Sequence, residues 1–220
     1  MGQGAQQYNF MVIEGNIGAG KTTLSKMIAR DFDYRLVLEE FSDNPFLSNF
    51  YTNPERYAFP VELFFMTERY KQLQEELTQQ NLFQKGTISD YFFLKTLLFA
   101  RHTLSGEENR LFHRLFDILN AGFPHPDILL YLHRPIPELL KNIKKRGRSY
   151  EQDMKDTYLK QVQNGYLEYF KSISNFPVVI LELEGHDFVE NKENYQLIKK
   201  VFEQSYANGI NNVLFTDLKA

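Results

Sequence analysis

The sequence predicts an α/β fold built on a parallel sheet of about five strands with helices on both faces. Short apolar runs of strand length alternate along the chain with longer segments whose apolar residues recur at helical spacing. Strands buried on both faces read as continuous apolar runs, and their alternation with helices is typical of a doubly wound sheet. The predicted strands are Phe10–Ile13, Leu36–Leu38, Thr87–Ser89, Ile128–Leu132 and Val178–Leu183.

Helical periodicity fills the segments between these strands. With 220 residues, of which 43% are hydrophobic, the chain can bury one sizeable core and is too short for two ordinary domains. We therefore expect a single domain over residues 1–220, with Asn44–Pro45 and Gly122–Pro126 as loops within it. The segments with helical spacing are Leu24–Ala29; Phe59, Leu63, Met66, Tyr70, Leu73 and Leu77; Leu111, Leu115, Ile118 and Leu119; and Leu139, Leu140 and Ile143.

Composition argues against several classes of function. The 25 Lys and Arg residues and 28 Asp and Glu residues give a formal charge of -3, which provides no field that would gather a polyanion such as DNA. No apolar run approaches the roughly 18 residues of a membrane span, and the polar N-terminus lacks the basic and apolar regions of a signal peptide. The sequence has no cysteine for a disulfide or a thiolate metal site. We expect a cytoplasmic protein that binds neither nucleic acid nor membrane.

A glycine-rich segment directly after the first strand carries the strongest motif. The sequence from Gly15 to Thr22 fits GxxxxGK[ST], in which glycines let backbone N–H groups approach a phosphate chain. Lys21 would reach the outer phosphates, the Thr22 hydroxyl would reach Mg²⁺, and the dipole of the following helix would favour the anion. The alternative is a glycine-rich turn with a surface lysine. The motif predicts that ATP and Mg²⁺ bind at Gly15, Asn16, Ile17, Gly18, Ala19, Gly20, Lys21, Thr22 and Thr23.

Several further segments have a recognisable order and spacing. They are Leu38–Phe41 followed by Asn44–Leu47 and Phe50–Tyr51, then Pro54–Phe59, Tyr131–His133, and Arg146–Arg148 with Glu151. Together they resemble the deoxyribonucleoside kinase family, in particular bacterial deoxyadenosine and deoxyguanosine kinases. The resemblance implies a P-loop kinase fold with an arginine lid, a small-molecule deoxynucleoside substrate and a helix-paired homodimer. The aromatic-rich segments around residues 92–99 and 112–119 offer apolar surface for such pairing, although ordinary core packing would also use them.

Glu39 is the candidate general base. The resemblance implies that the glutamate at the end of the second strand removes the proton from the 5′-hydroxyl of the nucleoside. Because ligands gather outside the carboxyl ends of parallel strands, we expect the phosphate loop and Glu39 to converge. The alternatives are that Glu39 is a solvated strand-end carboxylate or that Glu40 is the base. Asp90 ends the apolar strand Thr87–Ser89, and we expect it to hold Mg²⁺ directly or through water.

Arg146 and Arg148 are the predicted lid residues. Two planar guanidiniums around a flexible glycine can fold over the transferred phosphate with charge-assisted bidentate bonds, and the resemblance assigns these positions to the lid. The alternative is a basic helix end, where cations favour the C-terminal dipole. Tyr51 and Glu151 match the residues that the family uses on the sugar 3′-hydroxyl, which favours a 2′-deoxyribose.

The chain departs from the family at the third motif and at the positions that read the base. Where the family has acid-Arg-Ser, the sequence has Asp90–Phe92, so the acid remains but the arginine and serine do not. We therefore expect the lid to supply more of the charge stabilisation. Glu62 stands where the family has glutamine, and Thr96, with Lys95 beside it, stands where the family has an acid. Arg69 matches the family's base-side arginine.

Glu62 predicts a purine substrate. An ionised carboxylate only accepts hydrogen bonds, and guanine offers adjacent N1–H and N2–H₂ donors while its O6 could face Arg69. Adenine would require a protonated Glu62 or an intervening water. The alternative is that Glu62 neutralises Arg69 or Lys95 and never touches the base. We expect deoxyguanosine or deoxyadenosine as the substrate.

Three functions remain open from the sequence. The first is ATP-dependent phosphorylation of the 5′-hydroxyl of a deoxynucleoside in nucleotide salvage, with Lys21, Glu39 and the lid arginines as catalytic residues. The second is a nucleoside-monophosphate kinase. Against this function, the sequence shows no extra basic residue that would bind the acceptor phosphate. The third is a catalytically silent nucleotide-binding subunit, suggested by the missing motif arginine. The retained catalytic residues favour the first function.

Overall fold

The computed structural model describes residues 8–39, 44–78, 84–148, 151 and 154–219. These residues form two compact units. The first unit comprises the described residues within Met1–Val37, Phe83–Asp90 and His125–Ala220, and the second comprises those within Leu38–Leu82 and Tyr91–Pro124. The expectation of a single domain over residues 1–220 remains a prediction.

A parallel sheet flanked by helices forms the first unit and confirms the predicted fold class. Its strands are β1 (Phe10–Gly15), β2 (Arg35–Val37), β3 (Thr87–Ser89), β4 (Ile128–His133), β5 (Pro177–Glu182) and β6 (Gly209–Leu214). They lie in the order β2-β3-β1-β4-β5-β6, and every neighbouring pair is parallel. The sheet has six strands, one more than the sequence predicted.

The additional strand is β6, which pairs with β5 at the edge of the sheet. Its sequence, GINNVL, carries Asn211 and Asn212 at its centre, and most of its residues are partly or fully exposed. An edge strand with one wet face does not need the continuous apolar run of a strand buried on both faces. The sequence of β6 therefore lacks the continuous apolar run by which the other strands were predicted.

The position of β1 determines where the glycine-rich loop lies. All six residues of β1 are buried, and the strand lies between β3 and β4, with Val12 opposite Ser89 and Ile13 opposite Leu130. The chain places β2 and β3 on one side of β1 and the later strands on the other. The carboxyl end of β1 is therefore the topological switch point, where ligands bind in sheets of this kind.

The helices of the first unit bury one apolar face each against the core. They are α1 (Lys21–Phe32), α6 (Ile136–Arg146), α7 (Asp156–Phe170) and α8 (Lys192–Val201). Leu24 and Ile28 are fully buried on α1, and Leu139 and Ile143 are buried on α6, as their spacing predicts. The sequence analysis did not identify α7 and α8.

The second unit is helical and has an aromatic core. Its helices are α2 (Leu47–Thr52), α3 (Pro54–Thr78), α4 (Lys95–Thr103) and α5 (Gly106–Asn120). The ring of Phe93 stacks on Phe116 with centroids 5.0 Å apart and lies 5.1 Å from Phe123. These contacts join the segment before α4 to α5 and to the loop after it. No helix in the described ranges is long and apolar enough to cross a bilayer.

Candidate active site

The loop between β1 and α1 has a backbone that only glycine accommodates at two positions. Gly18 and Gly20 adopt left-handed conformations with φ of 84° and 100°. A Cβ atom at Gly18 would lie 2.7 Å from the carbonyl oxygen of Leu139, and one at Gly20 would lie 2.9 Å from the ring of Phe188. The glycine spacing in the motif therefore reflects a tight turn, which points backbone N–H groups toward a ligand.

Side chains from the first unit hold this loop in place. The Asn16 amide donates to the carbonyl oxygen of Leu159 on α7 at 2.8 Å and accepts from the N–H of Ile17 at 2.8 Å. From α6, the Asn142 amide donates to the carbonyl oxygen of Gly18 at 2.9 Å. These hydrogen bonds hold the loop from α7 and from α6. An anion site that binds without reorganising needs such support.

Lys21 and Thr22 lie at the start of α1, where the motif predicts them. The Lys21 ammonium donates to the carbonyl oxygens of Gly15 at 2.8 Å and Asn16 at 3.0 Å. The Thr22 hydroxyl donates to the carboxylate of Asp90 at 2.5 Å, and Asp90 is buried directly after β3. A hydroxyl beside a carboxylate provides the oxygen ligands that Mg²⁺ prefers, so these two residues fit a magnesium site.

A cleft of about 470 Å³ opens over the loop from Gly18 to Thr23. Its charged lining consists of five cationic side chains and one acid, namely Lys21, Arg134, Lys145, Arg146, Arg148 and Asp187. An excess of cations around a backbone N–H cradle suits a polyphosphate. The structure therefore brings both predicted lid arginines to the same cleft as the predicted phosphate loop.

Arg134 is a residue of this cleft that the sequence analysis did not single out. Its buried guanidinium donates to the carbonyl oxygens of Ala19 at 3.2 Å, Leu183 at 3.1 Å and His186 at 2.9 Å. It also lies 5.6 Å from the ring centroid of Phe188. Arg134 thereby joins the phosphate loop to the segment after β5. An arginine directly after an apolar strand was the sequence signal that could have identified it.

Asp187 is the acid of the cleft and was also missed. Its carboxylate accepts from the backbone N–H groups of Val189 at 2.7 Å and Glu190 at 3.0 Å. The pKa of the Asp187 carboxyl is lowered from its ordinary value. Burial opposes this shift, but the two N–H groups and the charges of Arg134 and Lys145 outweigh it. Asp187 therefore stays ionised at neutral pH. It belongs to a loop after the predicted strand Val178–Leu183, where the sequence shows only a polar run.

The predicted lid begins where α6 ends. Arg146 is the last residue of the helix, and Gly147 follows with a left-handed φ of 73°. Arg146 donates from Nε to the carboxylate of Glu151 at 3.0 Å, and Nη1 of Arg148 lies 3.5 Å from the other oxygen of that carboxylate. Glu151 is buried. The structure thus places Glu151, which the sequence assigned to the sugar, between the two lid arginines.

In the second unit, Glu39 is a largely buried carboxylate held by two cations. It follows β2 in the chain by two residues, and its side chain is 9% exposed. Arg69 on α3 donates from Nε to one oxygen at 3.1 Å, and Nζ of Lys95 contacts the other oxygen. Glu39 is therefore not the solvated carboxylate of the alternative interpretation. The competing base, Glu40, lies outside the described residues.

The predicted base-reading residues lie around the same arginine. Nη1 of Arg69 donates to the hydroxyl of Thr96 at 3.4 Å. Glu62 is 5% exposed and accepts from the hydroxyl of Thr103 at 2.8 Å. Burial raises the pKa of the Glu62 carboxyl, although the Thr103 hydrogen bond and the charge of Arg69 oppose the shift. The backbone of Tyr51 lies in α2, and its side chain is outside the described part of the structure.

Comparisons with known proteins find similarity along most of the chain. The family model described as deoxynucleoside kinase matches residues 11–206. The chain is 35% identical over 195 residues to deoxyguanosine kinase of Bacillus subtilis (strain 168), covering 86% of this chain and 93% of that protein. It is 28% identical over 200 residues to deoxyadenosine/deoxycytidine kinase of the same organism, covering 86% and 89% of the two chains.

A solved structure shares the fold. Deoxyadenosine kinase from M. mycoides with bound dATP superposes with a TM-score of 0.71 at 22% sequence identity. The match covers 89% of this chain and 100% of that chain. At this identity the likeness concerns the fold, which is the parallel sheet and its flanking helices.

Proposed function

The chain belongs to the deoxynucleoside kinase family, and from that premise we propose that it transfers the γ-phosphoryl group of ATP to the 5′-hydroxyl of a purine deoxynucleoside. The observation that carries the proposal is the phosphate loop. Lys21 and the Thr22–Asp90 pair lie at its end, beneath a cleft whose charged side chains are mostly cationic. Such a site suits the triphosphate donor of a kinase.

The first unit supplies the residues for the donor. The N–H groups of the loop and the Lys21 ammonium would hold the outer phosphates of ATP. Thr22 and Asp90 would hold Mg²⁺, which, when bound, supplies positive charge between the phosphate groups. Arg146 and Arg148 would contribute charge-assisted hydrogen bonds to the transferred phosphoryl group.

The second unit supplies the residues for the acceptor. Glu39 takes the proton of the 5′-hydroxyl while the bond from that oxygen to phosphorus forms and the bond from phosphorus to the ADP oxygen breaks. Glu62, Arg69 and Thr96 contact the base in this proposal. Tyr51 and Glu151 are the residues that the resemblance implies for the sugar 3′-hydroxyl.

A purine is the proposed base. The most similar of the curated relatives reported above is named deoxyguanosine kinase, and a carboxyl group at Glu62 suits the donor edge of guanine. Deoxyadenosine is the competing substrate, because a protonated Glu62 could serve its mixed donor and acceptor edge. We further propose that the protein acts in nucleotide salvage in the cytoplasm as a homodimer. The monophosphate kinase and the silent subunit are not favoured, since the two relatives reported above are named as nucleoside kinases.

A substrate screen tests the proposal. The purified protein is incubated with ATP and Mg²⁺ and with each deoxynucleoside or its 5′-monophosphate, and the products are separated by chromatography. We expect ADP and a 5′-monophosphate from deoxyguanosine or deoxyadenosine, and no deoxynucleoside 5′-diphosphate from any monophosphate. A Lys21→Met variant prepared in parallel controls for a contaminating kinase. Turnover of monophosphates alone, or of no acceptor, would contradict the proposal.

A further inference from the structure

The resemblance to the family places Tyr91 where the third motif has an arginine, and a tyrosine brings no charge there. Its ring is fully buried, and its hydroxyl donates to the side-chain oxygen of Gln72 at 2.7 Å. The amide nitrogen of Gln72 in turn donates to the carbonyl oxygen of Leu38 at 2.7 Å. This chain of hydrogen bonds fixes the backbone immediately before Glu39, so Tyr91 helps to place that residue but brings no charge to it.

Lys95 brings a cation to Glu39 from a nearby position. It begins α4, four residues after Tyr91, and its Nζ contacts Oε2 of Glu39. Arg69 donates to Oε1 of the same carboxylate at 3.1 Å. The Lys95 and Arg69 side chains are 10% and 12% exposed. Burying an ammonium group is costly unless a carboxylate compensates it, so the contact between Lys95 and Glu39 is a paired arrangement and not an incidental surface pair.

We propose that Lys95 is a positioning residue for phosphoryl transfer and replaces the charge of the missing motif arginine by holding the Glu39 carboxylate. This inference rests on the proposed function. With Arg69 on one oxygen and Lys95 on the other, the carboxylate cannot rotate about its last side-chain bond. Each oxygen has more than one acceptor direction, so a hydroxyl can still approach. As the general base, Glu39 therefore presents a lone pair to the 5′-hydroxyl in a fixed direction. The two cations offset its negative charge.

The fixed orientation of Glu39 matters because a small displacement of a catalytic group lowers the reaction rate. A misplacement of about 1 Å can lower a rate about 10²-fold. Truncating Lys95 should therefore reduce kcat, because Glu39 turns away from the acceptor. It should leave the KM for ATP unchanged, because the phosphate loop and its cleft belong to the first unit. If Lys95 served only stability, its truncation would lower the melting temperature and would not selectively lower kcat while leaving the KM for ATP unchanged.

Four variants make the test. In Lys95→Met and Lys95→Gln we expect kcat with deoxyguanosine to fall about 10²-fold, with the KM for ATP changed by less than about threefold. Lys95→Arg keeps a cation of similar reach and should stay within about tenfold of the unchanged protein. Lys71→Met removes an exposed lysine from α3 and should have no effect. Melting temperatures establish that each variant is folded.

A double-mutant cycle shows whether Lys95 acts through Glu39. In a Glu39→Gln background, Lys95→Met should change the remaining rate by less than about threefold, because the group that it orients is already gone. Equal losses in both backgrounds would overturn the proposal. So would a kcat within about threefold of the unchanged protein in both Lys95→Met and Lys95→Gln. Both outcomes are measured relative to the unchanged protein, which must be active. If the unchanged protein phosphorylates no deoxynucleoside, the proposed function fails instead, and the two failures are therefore distinguishable.

Discussion

Glu62 is a buried carboxyl group whose protonation state decides which hydrogen bonds it can make. Burial raises its pKa, and the opposing effects of Thr103 and Arg69 do not cancel the shift. Arg69 and Lys95 both contact Glu39, while Glu62 accepts from Thr103. These contacts do not support the alternative in which Glu62 merely neutralises one of the two cations. A carboxyl group in this place remains suited to reading a base.

Replacing Glu62 by glutamine should change the preference between purines. The amide always offers both a donor and an acceptor, so guanine should lose and adenine should gain in relative kcat/KM, by about tenfold for one altered charged hydrogen bond. The measurement compares kcat/KM for the four deoxynucleosides. Glu55→Gln, which removes an exposed carboxylate at the start of α3, is the matched control. An unchanged ranking in Glu62→Gln would show that this residue does not read the base.

The same substitution should alter the dependence of stability on pH. A folded-state pKa above the unfolded value means that the folded protein holds a proton that the unfolded chain releases. The stability from neutral Glu62 is therefore fully present below its unfolded pKa and is lost as the pH rises through its folded pKa. Urea unfolding of the protein and of Glu62→Gln across this range should show the variant gaining stability relative to the parent as the pH rises. A pH-independent difference would contradict this expectation.

Among individual residues, the sequence predicted those that belong to a local motif and missed those that depend on distant contacts. Lys21 and Thr22 follow from spacing alone, because a tight glycine turn dictates both the residue types and their order. The contact between Lys95 and Glu39 joins positions 56 residues apart, and no local pattern indicates it. From the sequence we expected the lid to compensate for the missing arginine. The structure shows, in addition, the Lys95 cation on the Glu39 carboxylate.

At the scale of elements, the predicted lid comprises Arg146 at the end of α6, Gly147 and Arg148. Arg146 and Arg148 line the cleft and share the Glu151 carboxylate. If they also stabilise the transferred phosphoryl group, replacing either by alanine should lower turnover about 10²-fold. Steady-state kinetics of both variants test this expectation. Lys144→Ala, an exposed lysine of α6, is the control, and full activity in both arginine variants would reject the lid.

The elements that were predicted well are those whose burial is uniform along their length. β1 and β4 are almost completely buried, so their apolar runs mark them in the sequence. β6 has one wet face and was missed for that reason. On α5, Phe112 and Phe116 form the buried face, while Leu111 and Ile118 of the predicted apolar spacing face outward. Periodicity identified this helix correctly but not the face that it buries.

At the scale of the whole molecule, the outward face of α5 supports the proposed homodimer. Leu111 is 45% exposed and Ile118 is 72% exposed. Leu115 is half-buried between them on the same face. Apolar side chains in such a stripe favour contact with a second protein surface. A helix from a second copy would offer the same stripe, as twofold pairing requires.

Sedimentation equilibrium at micromolar concentration tests the homodimer. We expect twice the chain mass of 26.0 kDa, and we expect Ile118→Asp to shift the protein toward a monomer because a charge would be buried in the interface. Lys144→Ala again serves as a surface control. A monomer for the unchanged protein at these concentrations would reject the homodimer.

The most direct test of the central claim separates ATP binding from turnover in Glu39→Gln. The substitution keeps the shape and hydrogen bonding of the side chain but removes its basicity. We predict that kcat with deoxyguanosine falls about 10²- to 10⁴-fold, while the Kd for ATP, measured by titration calorimetry, changes by less than about threefold. Near-normal turnover in this variant would contradict the assignment of Glu39 as the base and move that role to another acid.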